Sequence, residues 1–160
     1  MNDVVTFDDW YRSEHRRVLA AVSAVCVGDH ARAEDATNEA FLKALERWDT
    51  VCVMDNPRAW VATVAVNNVK QSFFRRKRRL ELLNTQRLTD STIDVVRDLD
   101  LWNAFTQLTF RQRKAIVLRY LEDLPQQAVA DELGIAVGTA AATLNQARRK
   151  LRAEIQQGDT

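Results

Sequence analysis

Apolar residues recur at helical spacing along almost the whole of this chain. Between His30 and Trp48, Phe41, Ala44, Leu45 and Trp48 fall at i, i+3, i+4 and i+7, which predicts one shared helix face. From Thr6 to about Val27, the positions Trp10, Val18, Val22 and Val25 fit that period poorly at first and well later. Thr6 stands three residues before Asp9, an N-cap arrangement. Gly28 is expected to end this helix and Asp29 to cap the next. The stretch 49–55 breaks the pattern. Asn56-Pro57 restarts it, with Asn as cap and Pro at the first helical position, where a missing N–H costs nothing. This third helix is predicted to run to about Arg79, turning Trp60, Val61, Val64 and Val69 inward.

Residues 80–96 lose the period and hold Asn, Thr, Asp and Ser, so they read as a linker. Helix resumes near Asp98 and runs through Gln107. Thr109 with Gln112 is a capping box opening a helix to about Leu121. Leu124-Pro125 starts a short helix, Gln126 to Leu133, which Gly134 ends. A last helix begins near Val137 and continues until Gly158. The predicted fold is all-α: an N-terminal helical bundle (1–79), an acidic linker (80–97) and a C-terminal helix-turn-helix domain (98–160).

Composition narrows the chemistry. At 160 residues the chain can bury a core without disulfide or metal staples. Cys26 and Cys52 are too few for a thiolate zinc site, and His15 and His30, which read as surface residues, have no metal-ligand neighbours. The two cysteines fit either a redox pair or two thiols in a reducing cell, and the second reading is favoured. No apolar run approaches a membrane span and no signal-peptide pattern opens the chain, so a soluble cytoplasmic protein with no membrane insertion is expected. No nucleophile–base pair, metal cluster or phosphate loop appears, so no catalytic residue, metal or cofactor is assigned and no enzyme is expected.

The net charge of +1 hides an uneven layout. Residues 1–55 carry eleven acids, whereas 56–80 carry none and end in Arg75-Arg76-Lys77-Arg78-Arg79. Acids return over 81–100, and two basic clusters follow, Arg111/Arg113/Lys114/Arg119 and Arg148/Arg149/Lys150/Arg152. Such blocks suggest one surface for a polyanion and one for a protein.

Three constellations carry this further. Pro125 to Leu151 has the layout of a helix-turn-helix, with Ala130, Leu133, Ile135, Ala140, Leu144 and Ala147 at the buried positions. Its second helix would turn Gly138, Thr139, Ala141, Ala142, Thr143 and Asn145 toward a DNA groove. An ordinary helical hairpin fits the spacing too, but the adjoining Arg148-Arg149-Lys150 favours DNA. In the third helix, Trp60, Asn67, Asn68, Gln71, Phe73 and Phe74 precede the basic run. Rings can stack on bases and amides can read base edges, although Trp60 and Phe73 would serve equally as core. In Glu34-Asp35-Ala36-Thr37-Asn38-Glu39-Ala40-Phe41, acids interleave with an apolar stripe. That suits a helix meeting a basic partner, but on charge alone it reads as a solvated face.

Taken in order, these stretches resemble the extracytoplasmic-function sigma factors, the smallest group of the bacterial sigma-70 family. Residues 33–44 look like the core-polymerase-binding helix of that family, 57–67 with the basic run like the helix that melts and reads the −10 element, and 108–151 like the −35-binding domain. The resemblance implies that Asp35, Asn38, Glu39, Phe41 and Leu42 dock on a coiled coil of the largest polymerase subunit. It implies that the loop 51–56 captures a flipped base, which costs a few kcal/mol of unstacking. Asp55, Asn56, Trp60, Asn67, Gln71, Arg75 and Arg76 would then serve the −10 element. Arg111, Arg113, Arg119, Gly138, Thr139, Ala141, Ala142, Thr143 and Arg148 would serve the −35 element. The implied partners are bacterial core RNA polymerase, promoter DNA and an anti-sigma factor, and the acidic linker would thread the RNA exit path.

The chain departs from the family pattern in places. Asn38 stands where Gln is usual, Gln71 where Asp is common, and Ala128 where Glu is common. Residues 136–144 read Ala-Val-Gly-Thr-Ala-Ala-Ala-Thr-Leu where the pattern approaches Ser-x-Gly-Thr-Val-Lys-Ser-Arg-Leu. Replacing a Ser cap by Ala136 costs about 1 kcal/mol of helix stability, and two phosphate or base contacts are lost. The −35 reading is therefore expected to be weak or unusual. A polymerase-binding adaptor and a free-standing helix-turn-helix regulator remain as alternative functions.

Overall fold

The computed structural model describes residues 5–69 and 99–158, and among them every regular element is helical. Helix α1 spans Phe7–Cys26, α2 His30–Glu46 and α3 Trp48–Val51, and α4 covers 57–69. After the linker come α5 Leu99–Thr106, α6 Phe110–Ile116, a π-helical turn Val117–Leu121, α7 Gln126–Leu133 and α8 Val137–Gly158. The linker prediction, the basic run and Gln71, Arg75 and Arg76 lie outside the described residues.

The caps sit where the sequence places them. Thr6 accepts from the Asp9 backbone N–H at 3.2 Å, and Asp29 accepts from that of Arg32 at 3.2 Å. Asn56 Oδ1 accepts from the N–H of Ala59 at 3.0 Å and starts α4. The Thr109/Gln112 capping box is complete in both directions. Gly134 ends α7 in the left-handed region, as predicted. The α1 terminus differs. There Val27 turns left-handed first, at φ 49°, and Gly28 follows at φ 86°. The close approach of Trp102 explains the glycine, since a Cβ on Gly28 would lie 3.3 Å from the Trp102 ring.

Two further predictions are corrected. Trp48 to Val51 is helical, so the break after α2 is one turn tighter than the sequence suggests. Leu45 does not share the buried face of Phe41 and Ala44 but is 49% exposed. The 3.6-residue period puts Leu45 on the flank of an interface whose width the two alanines Ala40 and Ala44 already fill.

The N-terminal half is built on rings. Phe7, Trp10, Tyr11, Phe41 and Trp48 contact one another at centroid separations of 4.9 to 6.1 Å, which joins α1, α2 and α3. His15 belongs to this cluster, 4.9 Å from Tyr11 and 5.5 Å from Phe41, rather than to the open surface. In the C-terminal half, α8 packs across α5, α6 and α7. Helix α1 also packs on α6 and the π turn, so the buried apolar residues of both halves form one continuous cluster. No described helix is long and apolar enough to cross a membrane.

These anchors carry two expectations. Phe41→Ala should remove about 3–5 kcal/mol of stability and Thr109→Ala about 1 kcal/mol, both read from urea unfolding midpoints.

Candidate functional site

Helix α2 spends Ala33, Ala36, Thr37, Ala40, Phe41 and Ala44 on the core. Asp35, Asn38, Glu39 and Leu42 are left in a line on the outside, and Leu45 and Glu46 continue it. Leu42 is 60% exposed, so two leucines stand among carboxylates with nothing covering them. Asn38 Oδ1 lies 3.3 Å from His15 Nε2, and Lys43 approaches Glu39 at 3.5 Å. Phe41 is 2% exposed, so it holds this face from behind instead of forming part of it. An apolar pair within an acidic rim suits a basic helical partner.

In the loop before α4, Asp55 is exposed and Asn56 partly exposed, and on α4 Asn67 is exposed and Trp60 half-buried against the core. Trp60 is therefore no free stacking platform in this arrangement. Three of the neighbouring polar groups are engaged by the other half of the chain. Asn56 Nδ2 donates to the Glu122 carbonyl at 3.2 Å. Arg58 Nε donates to Glu122 Oε2 at 2.9 Å, and Glu14 lies 3.7 Å from the same guanidinium. Lys114 Nζ donates to Asn67 Oδ1 at 2.8 Å and to the Glu132 carbonyl at 2.9 Å.

Glu122 is 1% exposed. Burial pushes its carboxyl above the usual carboxylate range, and the Arg58 guanidinium offsets this only in part. Arg58 is raised: burial opposes its charge, but the hydrogen bond and the field of Glu122, with Glu14, outweigh it.

The −35 candidates divide. Arg111 and Arg148 are exposed, as are Gly138, Thr139 and Ala142, while Ala141 and Thr143 are half-buried. Thr143 Oγ1 donates to the Thr139 carbonyl, one turn back. The outer face of the first turns of α8 bears no charge, and its cations Arg148, Arg149, Lys150 and Arg152 follow further along the helix. Arg113 is used differently: its Nε donates to the Val25 carbonyl at 2.9 Å and its NH1 to that of Leu108 at 2.6 Å. Burial lowers its pKa. Arg119 donates to the Leu124 carbonyl at 3.2 Å and braces the loop before α7. Sequence reasoning gave no role to Arg58, Lys114 or Glu122. The acidic pair Glu122-Asp123 follows a basic stretch with nothing to mark its first member as buried, and the partners of Glu122 lie more than sixty residues away.

Fold and surfaces together describe a helical protein with an acidic, leucine-bearing outer face on α2 and a helix-turn-helix over α7 and α8. Residues 10–79 match the family Sigma-70 region 2, and residues 98–151 match Sigma-70, region 4. The ECF RNA polymerase sigma factor SigL of Mycobacterium tuberculosis is 31% identical over 156 residues, spanning 90% of this chain and 86% of that protein. The RNA polymerase sigma-E factor of Streptomyces coelicolor is 27% identical over 160 residues, spanning 97% and 89%. The sigma factor RpoE of Bartonella quintana, solved with the anti-sigma factor NepR, shares the fold at TM-score 0.78 and 22% identity, over 94% of this chain and 96% of that one. The chain belongs to the extracytoplasmic-function sigma factors of the sigma-70 family. It binds core RNA polymerase and promoter DNA and directs promoter-specific initiation, within a family of non-catalytic initiation factors.

Two expectations follow from the titrating groups. Burial pushes the Cys26 thiol up to about 12, whereas Cys52 is exposed. Iodoacetamide at neutral pH should therefore alkylate Cys52 in the native protein and reach Cys26 only on unfolding, as peptide mass spectrometry would read. Glu122, raised in the folded state, contributes stability that is full below the ordinary carboxylate value and is lost as pH rises through the folded one. Glu122→Gln does not titrate. Its unfolding free energy relative to wild type should rise with pH across that window.

Proposed function

We propose that the exposed line Asp35, Asn38, Glu39, Leu42 on α2 is the core-polymerase contact, with Phe41 as its anchor. We propose further that residues 1–79 act as region 2, 80–97 as linker and 98–160 as region 4. The observation that carries this reading is the uncovered pair Leu42 and Leu45 within an acidic rim, on the helix that lies in the matched region 2. Asp55, Asn56, Trp60 and Asn67 would read the −10 element from α4 and its preceding loop, joined by Gln71, Arg75 and Arg76 further along. Arg111, Arg148 and the face Gly138, Thr139, Ala141, Ala142, Thr143 would read the −35 element. Arg113 and Arg119 would support that face through the backbone carbonyls they bind. The protein itself makes and breaks no bond, needs no cofactor and works in the cytoplasm on the polymerase. The fold shared with a sigma factor solved beside an anti-sigma factor supports a partner of that kind here.

The uncharged start of α8 favours a second reading in part, an adaptor that binds polymerase yet reads −35 weakly. Transcription start mapping with sigma-free bacterial core polymerase and a promoter-fragment library separates the two. Discrete starts sharing upstream elements are expected. Core binding without starts would favour the adaptor.

Asp35→Arg combined with Leu42→Ala should lower core binding about tenfold or more at an unchanged unfolding midpoint. Ala141→Lys with Thr143→Arg should tighten −35 duplex binding and steepen its salt dependence, adding about 2 to the log–log slope. Equal affinity of wild type and this variant would overturn the weak −35 reading.

A further inference from the structure

Helix α8 turns Ala140, Leu144 and Ala147 into the core. At about 100° per residue, the line farthest from them runs through Gly138, Ala142 and Arg149, all exposed. Asn145 and Gln146, exposed as well, stand on either side of that line in the third turn of the helix. The polar groups nearby are committed. Thr143 is half-buried and its hydroxyl donates to the Thr139 carbonyl at 2.9 Å. On α7, Gln127 donates to Asp131 Oδ1 at 2.9 Å, and Gln126 reaches the Val137 carbonyl at 3.5 Å. Asn145 and Gln146 have no side-chain hydrogen-bond partner among the described residues. No acid or base stands on α8 before Arg148, so these two carboxamides are the polar groups that its outer face presents beyond the first turns.

We propose, on the reading of α8 as the −35 helix, that Asn145 and Gln146 are its base-reading groups and that the duplex it selects carries A·T pairs, with an adenine meeting each amide. A carboxamide sets one donor beside one acceptor. In the major groove that pair matches adenine, which shows an acceptor at N7 beside a donor at N6. Guanine shows two acceptors there and suits a guanidinium or an ammonium, which this part of the helix lacks. Gly138 and Ala142 act through their size. With one side-chain carbon or none on the line that faces the groove, the first two turns can lie close to its floor. That approach lets side chains as short as Asn145 reach a base edge from the third turn. Ala142 then sets its methyl against the 5-methyl group of a thymine, the apolar mark of an A·T pair. Arg149, the first cation on the line, meets phosphate and adds grip without sequence preference.

The test uses the full-length chain assembled with core polymerase. A promoter fragment obtained from start mapping has its −35 segment randomised and is carried through rounds of binding selection. The enriched duplex is then remade with 7-deazaadenine, which lacks the N7 acceptor, and separately with deoxyuridine, which lacks only the thymine methyl. Selection is expected to return A·T pairs. At one adenine, the deaza base should weaken wild-type binding about tenfold and leave Asn145→Ala unaffected. A second adenine should behave in the same way toward Gln146→Ala. Uracil should weaken binding about fourfold, as the loss of one buried carbon does, and Ala142→Gly should abolish that difference. Arg149→Ala should weaken all duplexes alike and lower the salt slope by about 1. Both amide positions are exposed on a helix, so alanine there should keep the unfolding midpoint. An enriched element without A·T pairs, or an adenine preference that survives both alanine substitutions, overturns the assignment, and the enrichment itself leaves the −35 reading standing. If no sequence is enriched at that segment, the −35 reading falls, and the assignment with it.

Discussion

An ionised carboxylate is costly to bury without a partner, and the meeting of the two halves of this chain is arranged around that constraint. Glu122 is 1% exposed and bound by Arg58 from the other half. Removing one member of such a pair strands the other and costs about 3–5 kcal/mol. The pair therefore ties α4 to the residue that follows the π turn, alongside the apolar cluster both halves share. Arg113 and Lys114 extend the same logic along the seam, with backbone carbonyls and an amide in place of a carboxylate. These are polar contacts with modest net energies, since burial offsets much of what each gains. They specify how the halves meet more than they cement them.

The N-terminal half solves a different problem. A docking surface must hold its shape while staying open to water. Helix α2 does this with small residues inward, so that it lies close on α1, and with Phe41 locked among Trp10, Tyr11 and His15. Rigid rings behind the helix let acids and two leucines stand outside it at fixed spacing. The face proposed to read the −35 element has the opposite character. It is small and uncharged, and the adjoining cations follow further along α8.

Local chemistry made much of this legible. The Thr6, Asp29, Asn56 and Thr109 caps and the Gly134 stop were readable because each uses a side chain or a conformation within three residues of its target. The bounds of α7 and α8 were readable for the same reason. Leu45 was misplaced because a helical period tells which residues share a side, but not how wide the neighbouring helix is. His15 was misplaced because no period reports a ring cluster assembled from three helices. Among the candidate site residues, the exposure of Asp35, Asn38, Glu39 and Leu42 was legible because it follows from a well-patterned helix. Arg113 binds the Val25 and Leu108 carbonyls, and a basic cluster in the sequence does not show which of its members is turned inward. The seam itself was invisible. Arg58 and Glu122 are 64 residues apart, and nothing in either neighbourhood names the other.

The π-helical turn Val117–Leu121 sets where Glu122 points. Its wide ring closes from the Glu122 N–H to the Val117 carbonyl at 3.1 Å, so this segment holds one residue more than an α-turn would. Each residue of an α-helix advances about 100° around the axis. Tightening this turn to α geometry with the same residues would carry the following carboxylate about a quarter-turn away from Arg58, whereas a chain one residue shorter here would close as ordinary helix and keep the carboxylate's direction.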